Sequence, residues 1–447
     1  MLEKMLAIIF SLMIFAQAAF VRHVVGTWIF PACIFGLFWF LYTIIPLVAL
    51  FTIPISPYSV GYILLACLLF STTALSFNWQ LAFKYKRHRI KGENYNTIFI
   101  RRTFFSISAI VIISMFADIL NQGFTMKEIV FNLVITANSY IAKRYSDEII
   151  PSIFGQLGVV LTYPMAIFGG LIIGSQSKKK KRIYIVLAAI IPSVLSMLIQ
   201  GNKGTLFLVI ALFWAGFLIT KIERGETKLI TKDGVKALII FAALATPIIM
   251  ISFISRGLYE LESSSLIIEG LIRYIASYSS AHLYAFSDFF SSIIGNSSSN
   301  SYESDELAAG FFTFMSLFVL FGSSKTVPAG VYDEYFEYGS ILKSNIYTMF
   351  RGLIQDFGMI GSLLFMVAIG LALHLSFWIL LTKRFSYISV SIFTHSIGFF
   401  YTSFIISLLI WKSIYASIII VWLILFVNSL IYKPTPTHSE FDQTNIQ

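Results

Sequence analysis

Continuous runs of Leu, Ile, Phe and Ala, each long enough to cross a bilayer, dominate this chain. Residues 27–51 and 183–200 are two of them. A hydrocarbon core of about 30 Å is crossed by about 20 apolar residues in a helix. Inside that layer every backbone N–H and C=O must be paired within the protein, which excludes open sheets. A closed barrel would show short segments of alternating polarity instead of unbroken apolar runs. The chain is 57% hydrophobic and 12% charged over 447 residues. Soluble domains carry about twice that share of charge. The expected fold class is an all-α, polytopic integral membrane protein.

Hydropathy divides the chain into eleven expected spans, near 5–21, 27–51, 59–83, 103–120, 152–174, 183–200, 205–220, 237–255, 359–381, 389–411 and 413–432. Lys and Arg are distributed unevenly between the connectors. Residues 84–102 hold seven, 178–182 hold five and 221–236 hold five. With Arg22, Lys383, Arg384 and Lys433 added, 21 of the 32 fall on one side. The positive side is cytoplasmic. This places the N-terminus outside and the tail, 433–447, inside. The net charge of +10 is therefore explained by topology, and no nucleic-acid partner is expected. Cys33 and Cys67 both lie in apolar spans, so no loop disulfide indicates a redox compartment. The first run ends in Ala16-Gln17-Ala18, as a cleaved leader would. Arg22 immediately behind it fits a cytoplasmic turn better.

The expected organisation is spans one to eight in 1–255, a large outward loop in 256–358, spans nine to eleven in 359–432, and the tail. Three outward segments stand out. Residues 121–151 include an interfacial helix. Gly201-Asn202-Lys203-Gly204 makes a tight turn between two spans. In the large loop, 266–294 reads as helix and 296–306 as a Ser/Asn-rich tip. The apolar run 310–321 is too short to span and should be re-entrant or packed within the loop.

The large loop concentrates the polar chemistry. Arg256, Arg273 and Arg351 are its only arginines, and each adjoins an apolar helical segment. Guanidinium binds phosphate through two parallel hydrogen bonds, so outward arginines at a membrane surface suit a pyrophosphate headgroup. From Arg273, the residues Ser277, Ser280, Tyr284 and Asp288 share one helical face. His282 lies nearly opposite, so it cannot join Arg273 in one site unless the helix breaks. Tyr347, Arg351 and Gln355 are successive i, i+4 positions before the ninth span. Asp356 then sits at the membrane edge, where a carboxylate needs a partner. Gly358 and Gly361 allow close helix approach. No histidine or cysteine spacing suggests a metal site, and no Gly-rich nucleotide loop is present. His282 and Asp288 are separated by five residues, not the four of membrane acyltransferases.

The Gly201–Gly204 turn, the large outer loop, and Asn345-Ile-Tyr-Thr-Met-Phe-Arg351 leading through Asp356-Phe-Gly358-Met-Ile-Gly361 into a late span resemble the Wzy-type O-antigen polymerases. The arginine–ten residues–glycine loop motif of some members is not matched, since nine residues separate Arg351 from Gly361. Arg256 and Arg273 also lack a glycine at that spacing, which leaves the individual arginine roles open. The resemblance implies a lipid-dependent glycosyltransferase in the bacterial inner membrane, multi-pass, with its active site on the periplasmic side. A polysaccharide on undecaprenyl pyrophosphate would pass to a new lipid-linked oligosaccharide repeat unit, without a cofactor. It also implies a flippase and a polysaccharide chain-length regulator as partners, beside membrane lipid. Expected catalytic bases are Asp356, His282 and Asp288, in that order. Expected pyrophosphate or sugar ligands are Arg351, Arg273, Arg256, Lys203, Asn202, Tyr347 and Tyr284. The rival readings are an O-antigen ligase-like transferase and a lipid-linked oligosaccharide transporter. A transporter should carry charges deep in several spans, and here Asp118 lies only near a span end.

Overall fold

The computed structural model describes residues 1–89, 95–146, 148–175, 179–254, 258, 261, 263–295, 298, 302, 307–325, 331–383 and 386–432. Arg256, Lys178, Arg384, Lys433 and most of the 296–306 tip lie outside the described residues. Helices dominate. The first half of the chain contributes α1 (Leu2–Val25), α2 (Pro31–Ala49), α3 (Pro57–Thr72), α4 (Trp79–Arg89) and α5 (Thr97–Asn121). It continues with α6 (Met126–Phe131), α7 (Leu133–Tyr145), α8 (Ile153–Ser175), α9 (Lys179–Gln200), α10 (Lys203–Glu223) and α11 (Lys232–Ile254). The large loop holds α12 (Ser264–Ile293), α13 (Phe311–Leu320) and a hairpin of β1 (Phe336–Tyr338) and β2 (Leu342–Ser344). The chain ends in α14 (Met349–Thr382), α15 (Tyr387–Thr402) and α16 (Lys412–Ile431). Among the described residues, ten helices are long and apolar enough to cross a membrane. The protein is an all-α, multi-pass membrane protein.

Local chemistry fixes the helix ends. Pro31 and Pro57 occupy first-turn positions, where the missing N–H costs nothing. The Asn96 side chain accepts from the Phe99 amide at 3.1 Å and caps α5. Thr125 and Glu128 form a reciprocal capping box on α6. α8 is the most enclosed span. Cβ atoms at Gly170 and Gly216 would collide with the facing helix backbone, and one at Gly174 with Thr220. Small residues let α8 and α10 approach so closely, and packing of this kind is what joins helices in lipid.

Connectors meet in two sets. At the Lys/Arg-rich end, Thr27 donates to the Thr227 carbonyl, Arg224 to the Gly174 carbonyl and Asn428 to the Asn96 carbonyl. At the other end, which carries the large loop, Asp118 meets Ser152, Arg144 meets Asn202 and Lys4 meets Tyr284. These pairings agree with the alternation expected from the charge pattern.

Two expected spans differ. The one expected at 59–83 ends at Ser76, and α4 starts separately at Trp79. Residues 389–411 do not form a full-length helix. α15 has 16 residues, which rise about 24 Å, and a turn and a 3-10 segment (Leu408–Ile410) follow. Non-helical backbone is tolerated at such depth only when protein pairs it. The Ser403 carbonyl accepts from the Met349 amide at 2.8 Å, and Thr402 accepts from Ile405 and Ile406. The end of α15 thus supplies an acceptor to the start of α14.

α14 is itself broken. Gly358 adopts φ 72 and ψ 175, a backbone state that favours glycine. It separates a half-helix, 349–357, from the span that follows. The expected span boundary at residue 359 coincides with this break. The expected helical neighbours Tyr347, Arg351 and Gln355 need a correction, because Thr348 is the N-cap and Tyr347 precedes the helix. The Thr348 hydroxyl accepts from the Phe350 amide at 3.3 Å, and this starts the helix one step later.

Candidate functional site

The large loop folds back over the loop end of α2, α3 and α14 and encloses the half-helix. The center of this layer is Arg351, only 1% exposed. Its guanidinium carbon lies 3.9 Å from the ring center of Tyr332, 4.1 Å from Tyr347, 5.0 Å from Phe289 and 5.2 Å from Tyr302. Nη2 pairs with Glu334 at 2.9 Å. A buried cation needs this treatment, because an unpaired charge away from water is expensive and ring faces supply negative potential. Nε and Nη1 of Arg351, the Tyr332 hydroxyl and Oε1 of Gln355 have no hydrogen-bond partner among the described residues. A Cβ at Gly352 would lie 3.1 Å from the Tyr332 hydroxyl, so glycine keeps this wall tight.

Tyr347 is fully buried, and its hydroxyl donates to the Glu334 carbonyl at 3.0 Å. Tyr302 donates to Asp288 Oδ2 at 2.7 Å. Arg351, Tyr347 and Asp288 therefore belong to one cluster. Burial raises the Tyr332 hydroxyl well above the usual phenol range, against the lowering effect of Arg351. It raises Tyr347 too, against its hydrogen bond with Tyr302 and the Arg351 charge. Both remain neutral donors.

Asp356 is on the same half-helix and also 1% exposed. Its carboxylate accepts from the Phe312 amide at 2.9 Å, and from the Thr313 amide and hydroxyl at 2.6 Å each. It caps the start of α13, whose first amides would otherwise be orphans. This gives the membrane-edge carboxylate its partner and occupies its oxygens.

α12 is unbroken, so Arg273 and His282 do not converge. The Ser277–Asp288 stripe is not a solvated face. Ser277 accepts from the Lys343 amide at 3.1 Å and seats the hairpin. Tyr284 is 2% exposed, donates toward the Pro46 and Leu50 carbonyls and accepts from Lys4 at 2.8 Å. Arg273 lies near Glu337 of the hairpin, away from Arg351. His282 donates through Nε2 to the Tyr42 carbonyl at 3.0 Å. Its Nδ1 has no partner among the described residues. Burial lowers its pKa to about 4 despite that hydrogen bond, which makes it a weak base.

The Gly201–Gly204 turn forms a second polar region. Gly201 takes φ 70 and α10 starts at Lys203. Lys203 is buried, donates to the Ser252 carbonyl at 3.3 Å, and stacks over Phe253 at 4.2 Å and Tyr278 at 5.8 Å. Asn202 accepts from Arg144 of α7. Among the described residues no group of three or more His, Cys, Asp or Glu side chains could hold a metal ion. Sequence reasoning missed Glu334, Tyr332, Tyr302 and Phe289 around Arg351. The run 332–338, with three acids among four aromatics, is the natural complement of a buried cation and was the available signal. Arg144 was also missed, and its sequence neighbourhood does not mark it.

No family model, curated protein or solved structure matches the chain.

Proposed function

We propose that the protein is a lipid-dependent glycosyltransferase that polymerises undecaprenyl-pyrophosphate-linked oligosaccharide repeat units at the periplasmic face of the inner membrane. The observation that carries this reading is Arg351. A nearly buried guanidinium sits on a glycine-broken half-helix in the outward layer, with Nε and Nη1 unpaired. Each guanidinium edge that can hold two phosphate oxygens, Nε–Nη2 or Nη1–Nη2, includes the Nη2 that Glu334 now occupies, so a phosphate binds through two parallel bonds once Glu334 is displaced. Glu334 holds the cation in the resting state, and the leaving pyrophosphate takes its place.

In the reaction the acceptor hydroxyl oxygen bonds to the anomeric carbon of the donor sugar. The bond from that carbon to the pyrophosphate oxygen breaks, and pyrophosphate departs with the electron pair. Arg351 neutralises the charge that develops. The acceptor proton goes to a carboxylate. Asp288 is favoured for this over Asp356, whose oxygens cap α13, and over His282, which is a weak base. Asp288 is half-buried and tied through Tyr302 to the ring cluster around Arg351. Lys203 and Asn202 stand at a different part of the same end and serve lipid or sugar binding.

The test is purified protein given lipid-linked repeat units, a chelator and no nucleotide sugar. A polymer ladder is expected. Loss of the ladder, restored by magnesium or manganese, would overturn the metal-free mechanism. In a deletion strain, a single repeat on the lipopolysaccharide core supports a polymerase. An empty core with polymer retained on the carrier lipid would make the protein a ligase instead.

A further inference from the structure

A cleft of about 230 Å3 opens at the loop end among α5, α7, α8, α9 and α10. Arg144, Gln200 and Asn202 form its rim, and Val111, Met115 and Pro192 line it at greater depth. Ser193 also lines it, seven residues before the end of α9, or about 10 Å along the helix.

The two charged side chains that line this cleft, Asp118 and Arg144, do not form an ion pair with each other. Asp118 is 4% exposed, and its Oδ1 accepts from the Ser152 amide at 3.0 Å and hydroxyl at 2.6 Å. That places the carboxylate at the start of α8, where the helix dipole also favours it. Arg144 is exposed, and its side chain donates to Asn202. Among the described residues no carboxylate lies within ion-pair distance of it. Thr205, in the first turn of α10, also lines the cleft, so a second helix N-terminus adds positive potential at the rim.

A separate observation comes from the interior. Ser193 is 1% exposed, and its hydroxyl has no hydrogen-bond partner among the described residues. A buried donor without a partner is costly, and a hydroxyl at this depth in a membrane helix ordinarily bonds its own backbone. This one faces the cleft instead. A cationic rim, hydroxyls below it and an apolar floor match, in order, the phosphate, the linkage atoms and the chain of a membrane lipid.

We infer that this cleft binds the phosphate headgroup of a membrane lipid, with Arg144 as its phosphate ligand and Ser193 as a donor to the atoms beneath. A glycerophospholipid presents ester carbonyls at the depth of Ser193. A polyprenyl pyrophosphate presents hydrocarbon there. Both share the phosphate. The inference stands apart from the transferase reading, because binding is measured without turnover.

The experiment is native mass spectrometry of the delipidated full chain, titrated with dioleoyl phosphatidylglycerol or with a polyprenyl pyrophosphate. Arg144→Gln should weaken retention of the bound lipid about tenfold, the loss of one charge-assisted contact. Ser193→Ala should weaken phosphatidylglycerol but not the polyprenyl lipid. If it does, the occupant is a glycerophospholipid. If only the polyprenyl lipid is retained, needs Arg144 and ignores Ser193, the occupant is the carrier, the phosphate site at Arg144 stands and the donor role of Ser193 is overturned. Retention of neither lipid by the wild type, or wild-type retention by Arg144→Gln, overturns the site. A failed polymerisation assay alongside Arg144-dependent retention would remove the transferase reading and leave this one standing.

Discussion

Arg351 is enclosed by four aromatic rings and paired with Glu334, while Arg144 projects from α7 into solvent with Asn202 at its tip. Both lie at the end of the bundle that carries the large loop. Burial separates them. A guanidinium removed from water must be paid for by everything around it, so the half-helix, the hairpin segment and α12 are organised about Arg351. A guanidinium left in water requires nothing from the fold and meets a ligand directly, whereas Arg351 can take a phosphate only by giving up Glu334. Stability should therefore depend on the first and not on the second.

The largest expected effect tests the enclosed cation. Arg351→Ala removes a buried ion-pair partner and empties the ring cage, at a cost of about 4 kcal/mol. A large drop in the melting temperature of the purified protein is expected, together with loss of polymer. Arg351→Lys keeps the charge but loses the planar fork. It should recover part of the stability and little of the activity. A normal melt for Arg351→Ala would mean that the surrounding layer does not rest on this residue.

His282 allows the same burial argument to be read through pH. Its folded-state pKa is lowered from 6.5 to about 4, chiefly by burial. The neutral ring is the form the fold accepts. Its contribution is fully present above about pH 6.5 and is lost as pH falls toward about 4, because the unfolded chain binds the proton first. The loss is at most about 3 kcal/mol. Melting measured from pH 7 to pH 4 should show it, and His282→Gln should flatten that part of the profile. An unchanged slope in the variant would assign the pH response to other groups.

Asp356→Ala should cost about 2 kcal/mol by leaving the first amides of α13 without an acceptor. Hydrogen exchange at Phe312 and Thr313 should accelerate while the spans stay protected. Asp356→Asn retains an acceptor oxygen and should fall between. If Asp356→Asn abolishes turnover with α13 still protected, Asp356 has a chemical role beyond capping.

The spans were legible because lipid imposes one rule on every backbone group, and hydropathy reports it directly. Gly358 was expected to allow close helix approach and instead breaks the helix with a positive φ, but the start of the ninth span beside it was legible. The shortened α15 was not. Residues 389–411 are apolar throughout, and only the Met349–Ser403 contact reveals that the helix yields its end to another segment. The site divides in the same way. Arg351, Tyr347 and Asp288 could be picked out as polar residues in a conspicuous loop. Their enclosure could not, because Phe289, Tyr302, Tyr332 and Glu334 come from separate stretches of chain. The partner that Asp356 needs could not be named from the sequence, because it is the start of α13, the Phe312 and Thr313 amides and the Thr313 hydroxyl, and no sequence pattern displays such a cap.

The smallest expected effect falls on the exposed cation and is the sharpest check on the comparison. Arg144→Gln removes a charge whose hydrogen-bond partner among the described residues is Asn202, and an exposed substitution of this kind changes stability by no more than about 0.5 kcal/mol. Its melting temperature should match the wild type at every salt concentration. Yet it is the substitution expected to release a bound lipid phosphate. A protein that melts normally and loses the lipid places Arg144 on the ligand side of the divide. If Arg144→Gln instead melts as low as Arg351→Ala, exposure does not separate the two arginines. The Arg144–Asn202 contact would then be a strut holding α7 to the α9–α10 turn.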